Sequence, residues 1–145
     1  MSNFFGISYT PNPAMAPLQQ QFTSSLSQPQ QTDRTATRQA WKGFEQSLTP
    51  EQHAAQQKWH LEKLEGAPAS EWKADKQAYL NSLSPQEMAA RQNAVSLRKV
   101  FHSTLSPEQQ DMRLSLDNLR DASILQSLGT TPGGTTPGPQ LNGYA

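Results

Sequence analysis

Three histidines, His53, His60 and His102, are the side chains of this chain best suited to proton transfer or metal ligation, since it contains no cysteine. His53 and His60 stand seven apart, which on a helix gives a shared face but a separation of two turns. Gln56 and Gln57 lie between them on that face, and neither is an acid. No His pair at i,i+4, no His-Glu-x-x-His and no Asp-rich calcium loop occurs. Any ligand set must therefore converge from separate helices, and the histidines read as solvated surface groups. "GTTPGGTTPG" is glycine-rich, yet no lysine follows it and its prolines remove amide donors, so it does not read as a phosphate loop. No Gly-x-Ser-x-Gly elbow is present, and the scattered carboxylates nominate no acid–base couple. The expectation is a non-enzyme without metal or cofactor.

Aromatic residues beside cations are the second pattern that could carry chemistry. Trp41-Lys42, Lys58-Trp59 and Trp72-Lys73 place indole rings next to ammonium groups, as in proteins that stack single-stranded bases. Each tryptophan also falls on the apolar stripe of its helix, with Glu45, Glu62 and Glu71 nearby, so core or interface anchors are the better reading. With 12 basic and 12 acidic residues the formal charge is zero, which argues against a global field for nucleic acid or anionic lipid.

Charge is distributed in blocks. All charged residues lie between Asp33 and Asp121, which divides the chain into an uncharged Gln/Ser/Pro-rich arm (1–32), a charged centre (33–128) and a Gly/Thr/Pro-rich arm (129–145). Such arms bury too little apolar surface to fold alone and are expected to be extended. They do carry spaced anchors. Phe4, Phe5, Tyr9 and Phe22 in one arm and Tyr144 in the other, joined by Trp41, Trp59 and Trp72 of the centre, are the candidate partner-binding residues. The first residues lack the basic and continuous apolar regions of a secretory signal, and no stretch reaches membrane-spanning length.

The centre must position whatever the chain uses, and its periodicity is helical. Ala36, Ala40, Trp41, Phe44 and Leu48 recur at three- and four-residue steps, and comparable stripes run over 50–65, over a segment capped by Ser70, over 85–103 and over 107–128. No alternating strand pattern is visible. The predicted fold is all-α, about four to five short amphipathic helices flanked by extended arms. "LTPEQ" (48–52), "LSPQE" (83–87) and "LSPEQ" (105–109) explain the corners. Thr49 with Gln52, Ser84 with Glu87 and Ser106 with Gln109 form capping boxes, with proline at the first helical position. Phe44, Tyr79 and Phe101 stand one helical turn before each leucine, so the unit ends one helix and begins the next. The interval from Leu48 to Leu83 is longer than that from Leu83 to Leu105, which argues against a regular solenoid of fixed period.

Leu48, Thr49 and Gln52 resemble the LTxxQ motif of the Spy/CpxP-like helical chaperones. Leu105 and Gln109 are similar to it with Ser106 for threonine, and the 83–87 copy departs by ending in Glu87. That resemblance implies a helical cradle for unfolded clients. The uncharged, aromatic-bearing termini resemble in style those of small helical virion proteins of tailed bacteriophages. The joint expectation is a non-enzymatic assembly protein in a virion or host cytoplasm. Its partners would be copies of itself or other virion proteins, with no small-molecule substrate, no membrane insertion and no nucleic acid. A Spy-like chaperone or an intracellular scaffold is the alternative.

Overall fold

The computed structural model describes residues 1–129. A short hairpin, β1 (Ser2–Phe4) and β2 (Ile7–Tyr9), leads into six helices: α1 (Met15–Ser25), α2 (Gln28–Ser47), α3 (Pro50–Leu64), α4 (Ala69–Asn81), α5 (Pro85–Ser103) and α6 (Pro107–Ser127). The fold is helical, as the periodicity predicts, with one small sheet added. The strands pair antiparallel, Ser2 opposite Tyr9 and Phe4 opposite Ile7. Their two-residue turn, Phe5-Gly6, has positive φ at both positions (50° and 83°), the backbone of a tight hairpin turn. Strands this short show no alternation, and Phe-Gly is not the usual Asn-Gly signal, so the sequence conceals this element.

The segment 1–32 is uncharged and terminal, but it is folded, which corrects the expectation of an extended arm. It supplies the hairpin, α1 and the start of α2, and Ile7, Tyr9, Met15, Phe22 and Leu26 are buried. These side chains lose water by packing against other helices of the same chain, which offsets the ordering cost that the segment alone cannot meet. The helix that carries the stripe from Ala36 to Leu48 starts at Gln28, where the Ser27 hydroxyl accepts from the Gln30 amide and the Gln30 side chain accepts from the Ser27 amide. Ser70 does not cap α4. The Pro68 carbonyl accepts the first helical bonds from the Glu71 and Trp72 amides. Gly66, at φ 83°, closes α3 as a left-handed C′ residue. The C-terminal arm, with Tyr144, lies outside the described residues.

The three predicted capping boxes are all formed, and Ser27/Gln30 is a fourth. Each corner also has a closing half. Ser25, Ser47 and Thr104 donate their hydroxyls to the carbonyls of Phe22, Phe44 and Phe101 at 2.6–2.7 Å, and Ser82 does the same to Tyr79. One hydroxyl ends a helix and another, two positions on, begins the next. The corner aromatics then meet across the fold: Phe22 with Phe101, and Phe44 with Tyr79, each pair buried with its flanking leucine. A third cluster ties the hairpin to the ends of α3 and α6 through Ile7, Tyr9, Met15, Leu64, Ile124 and Leu125.

With four corners the spacing becomes regular in a different sense. The interval from Phe22 to Phe44 equals that from Tyr79 to Phe101, and a longer one separates the two pairs. The chain is a two-part repeat: the single sequence offset that carries Phe22 to Tyr79 also carries Phe44 to Phe101 and superposes α1–α3 on α4–α6. The main helix pairings are α2 with α5, α3 with α4, and α1 with α6. Exchanging the two halves leaves that scheme unchanged, and each of these pairings joins one half to the other.

Candidate functional site

Between the paired helices lies a cavity of about 810 Å³, within the range of small-molecule sites. Its wall is strongly basic. Arg34 and Arg38 come from α2, Lys63 from α3, Lys76 from α4, Arg91 and Arg98 from α5, and Arg113 and Arg120 from α6. These are eight of the twelve Lys and Arg residues in the chain, whereas Asp117 alone of the twelve acidic residues reaches the wall. A net charge of zero therefore conceals a segregation of sign: most cations gather at the cavity, and nearly all carboxylates lie elsewhere.

Asp117 neutralises only its neighbours, pairing with Arg113 and Arg120, each at 3.2 Å. Arg120 also holds Asp121 at 3.1 Å. Arg34, Arg38, Lys63, Lys76, Arg91 and Arg98 have no carboxylate at ion-pair distance among the described residues. Several rest instead on aromatic faces: Arg34 over Phe22, Arg98 over Trp41, Lys76 over Trp59 and Lys63 over Trp72, at 4.9–5.2 Å from the ring centroids, and the carboxylate-paired Arg120 also lies over Phe4 at 4.0 Å. Such contacts stabilise a cation by about 0.5–2 kcal/mol without using its N–H donors. Burial pulls the Lys76 ammonium down, and Arg91, Lys63 and Arg98 push it further the same way. Burial and then Arg38 lower Arg34, while burial and then Arg91 lower Arg98. The wall holds like charges together against their repulsion.

The aromatic lining has its own order. His60 is stacked between Phe5 and Trp59, with centroids 4.5 and 3.7 Å away, and Phe4 meets it edge-on. Burial, followed by Lys63, Arg120, Lys76 and Arg91, depresses its imidazole to about 3. His102 is lowered to about 4 by burial and then by Arg113. Both rings are neutral at physiological pH, and His60 is a packed wall residue, which corrects the expectation of a solvated surface group. Phe5 takes a positive φ, uncommon for a bulky side chain, and its ring reaches His60 and Trp41 from the hairpin turn. Gln56 and Trp59 are buried in the wall. Gln56 Nε2 donates to Glu45 at 2.9 Å, but Gln56 Oε1 and Trp59 Nε1 have no partner among the described residues. Buried polar atoms without partners are rare.

The wall takes up six of the sequence candidates, Phe4, Phe5, Tyr9, Phe22, Trp41 and Trp59, although the sequence suggested that they face another protein. Trp72 stacks beside Trp59 and carries Lys63 and Lys73 on its faces. The capping residues Thr49, Gln52, Ser84, Glu87, Ser106 and Gln109 stay at the corners. Sequence reasoning missed the arginines altogether. Arg34, Arg91 and Arg98 sit within a few helical turns of the corner aromatics, but nothing local shows that α2 and α5 face each other. No group of three or more His, Asp or Glu side chains that could hold a metal occurs among the described residues. No helix among them is long and apolar enough to cross a membrane. No protein-family model, curated protein or solved structure matches the chain.

Proposed function

We propose that this protein is a non-enzymatic binding protein for a small anionic ligand bearing a planar group, of the nucleotide class, held in the central cavity. The observation that carries the reading is the concentration of eight cations against one carboxylate around about 810 Å³ of aromatic-walled space. Phosphate oxygens would take up the guanidinium and ammonium donors, where charge-assisted bonds are strong. A planar base would find ring faces in Trp41 and Phe5. The volume suits a small molecule rather than a nucleic-acid strand. Binding without turnover is supported by the wall's chemistry. Both histidines are depressed to about 3 and 4, and Asp117 is engaged by two arginines, so none of these three is poised to exchange a proton near neutrality.

The sequence alone assigned no small-molecule ligand, and the cavity is the reason to propose one. The assembly role drawn from the termini relied on aromatic anchors left free for another chain. Those of residues 1–32 are used within this one, so they support the cavity reading instead.

The test is calorimetric titration of the full chain with ADP and with pyrophosphate at low salt. Binding should occur, weaken steeply with added NaCl, and be lost in Arg91→Glu. It should persist in Lys99→Glu, which reverses a cation off the wall. Circular dichroism checks that both variants fold. No heat and no thermal shift with either compound up to millimolar concentration would overturn the reading.

A further inference from the structure

The two halves of the chain contribute to the cavity at matched positions. At the offset that carries Phe22 to Tyr79, Arg34 of α2 corresponds to Arg91 of α5, and Lys63 of α3 to Arg120 of α6. All four line the wall. The corner aromatics that back them also match: Phe22 lies under Arg34, and Tyr79, its counterpart, has Arg91 beside it. The match extends to the polar frame. Gln52 Nε2 donates to the Ser82 carbonyl and to Glu87 Oε1, both at 2.9 Å. The corresponding Gln109 Nε2 donates to the Ser25 carbonyl at 2.8 Å and to Gln30 Oε1 at 3.1 Å. Sequence offset, helix pairing and hydrogen bonding all agree, so the cavity lies between matched halves and presents Arg34 and Arg91 at equivalent positions.

Not every position is duplicated. Trp41 stands where the other half has Arg98, Trp59 where it has Leu116, and Lys76 where it has Gln19. The repeated element is the pair of cations, while the large ring platforms belong mostly to the first half. Of the eight wall cations, Arg34/Arg91 and Lys63/Arg120 are matched, whereas Arg38, Lys76, Arg98 and Arg113 have Val95, Gln19, Trp41 and Gln56 at the corresponding positions.

Resting on the anion-binding reading above, we infer that the ligand carries two phosphate-type groups on one compact frame, one met by Arg34 and the other by Arg91, the matched cations that have no carboxylate at ion-pair distance. Two fixed cations act on a joined pair of phosphates at high effective concentration, so a bisphosphate gains over a monophosphate without any new contact. A cyclic dinucleotide and a sugar bisphosphate share this chemistry and differ in whether rings are present to stack.

Calorimetry on the full chain with cyclic di-AMP, fructose 1,6-bisphosphate and AMP separates the cases. Expected is one bisphosphate per chain, bound at least tenfold more tightly than AMP, with AMP filling two sites. Arg34→Ala and Arg91→Ala should each weaken the bisphosphate by a similar factor of roughly tenfold or more. Arg34→Lys and Arg91→Lys, which keep the charge, should lose less, and retained helicity shows that each variant folds. Tighter binding of cyclic di-AMP than of the sugar bisphosphate assigns the ligand to the ring-bearing source, and the reverse assigns it to the other; both support two phosphates. AMP bound once and as tightly as either bisphosphate would overturn the inference. So would an Arg91→Ala loss with no effect of Arg34→Ala. In either of those cases the anion-binding reading stands, whereas failure of these compounds together with ADP and pyrophosphate removes both.

Discussion

At the scale of single residues, burial has turned ordinary side chains into unusual ones. His60 is the clearest case. It is stacked between Phe5 and Trp59 and faces Lys63, Lys76, Arg91 and Arg120, so its folded-state pKa of about 3 lies below the unfolded value of 6.5. Between those values the unfolded chain binds the extra proton, so stability rises with pH there and is lost as pH falls from about 6.5 toward 3. The loss is at most about 1.4 kcal/mol per pH unit for this group. His102, depressed to about 4, adds a smaller contribution of the same sign. Urea denaturation at a series of pH values should show this slope, and His60→Gln should flatten it without abolishing it. An unchanged slope in the variant would show that His60 is not buried as described. The sequence displayed the histidine and its neighbour Trp59. It could not display Phe5, which reaches the ring from a hairpin turn at the opposite end of the first half.

At the scale of elements, the corners are where sequence reading succeeds most fully. A capping box needs only a hydroxyl and a residue three positions on, and both partners sit in one short segment. Thr49/Gln52, Ser84/Glu87 and Ser106/Gln109 therefore form as predicted. Ser27/Gln30 is harder to see because its proline is displaced by one position, "SQPQ" in place of "SP". What the local pattern does not reveal is that the capping glutamines do a second job. Gln52 and Gln109 are buried and clamp the end of a helix in the other half. Replacing Gln52 or Gln109 by alanine strands a carbonyl and breaks a bridge between two boxes as well as the cap. The expected cost is about 2–3 kcal/mol, against about 1 kcal/mol for Ser27→Ala, which removes only a cap hydroxyl. Equal losses for Gln52→Ala and Ser27→Ala in chemical denaturation would contradict the clamp.

At the scale of the whole molecule, the cost of gathering cations governs behaviour. Wall cations that lack carboxylate partners repel one another, so NaCl should stabilise the ligand-free protein. Its melting temperature should rise between about 10 and 300 mM NaCl, in the range where screening of charged surfaces takes effect. Lys76→Gln, which installs the residue already present at the matched position Gln19, should raise the melting temperature at low salt and matter little at high salt. A melting temperature that falls with NaCl would show that the cations are compensated. The sequence by itself determined where most helices begin and end, because caps and breakers act between residues a few positions apart. It also carried the duplication, in four corner units whose intervals run short, long, short. Only the tertiary structure decided which way the charges point. Arg34 and Arg91, or Lys63 and Arg120, become neighbours of one cavity through the packing of α2 on α5, α3 on α4 and α1 on α6. Those contacts join distant segments and depend on the shape of every packed side chain between them, so a zero net charge read along the chain could become a basic chamber in space.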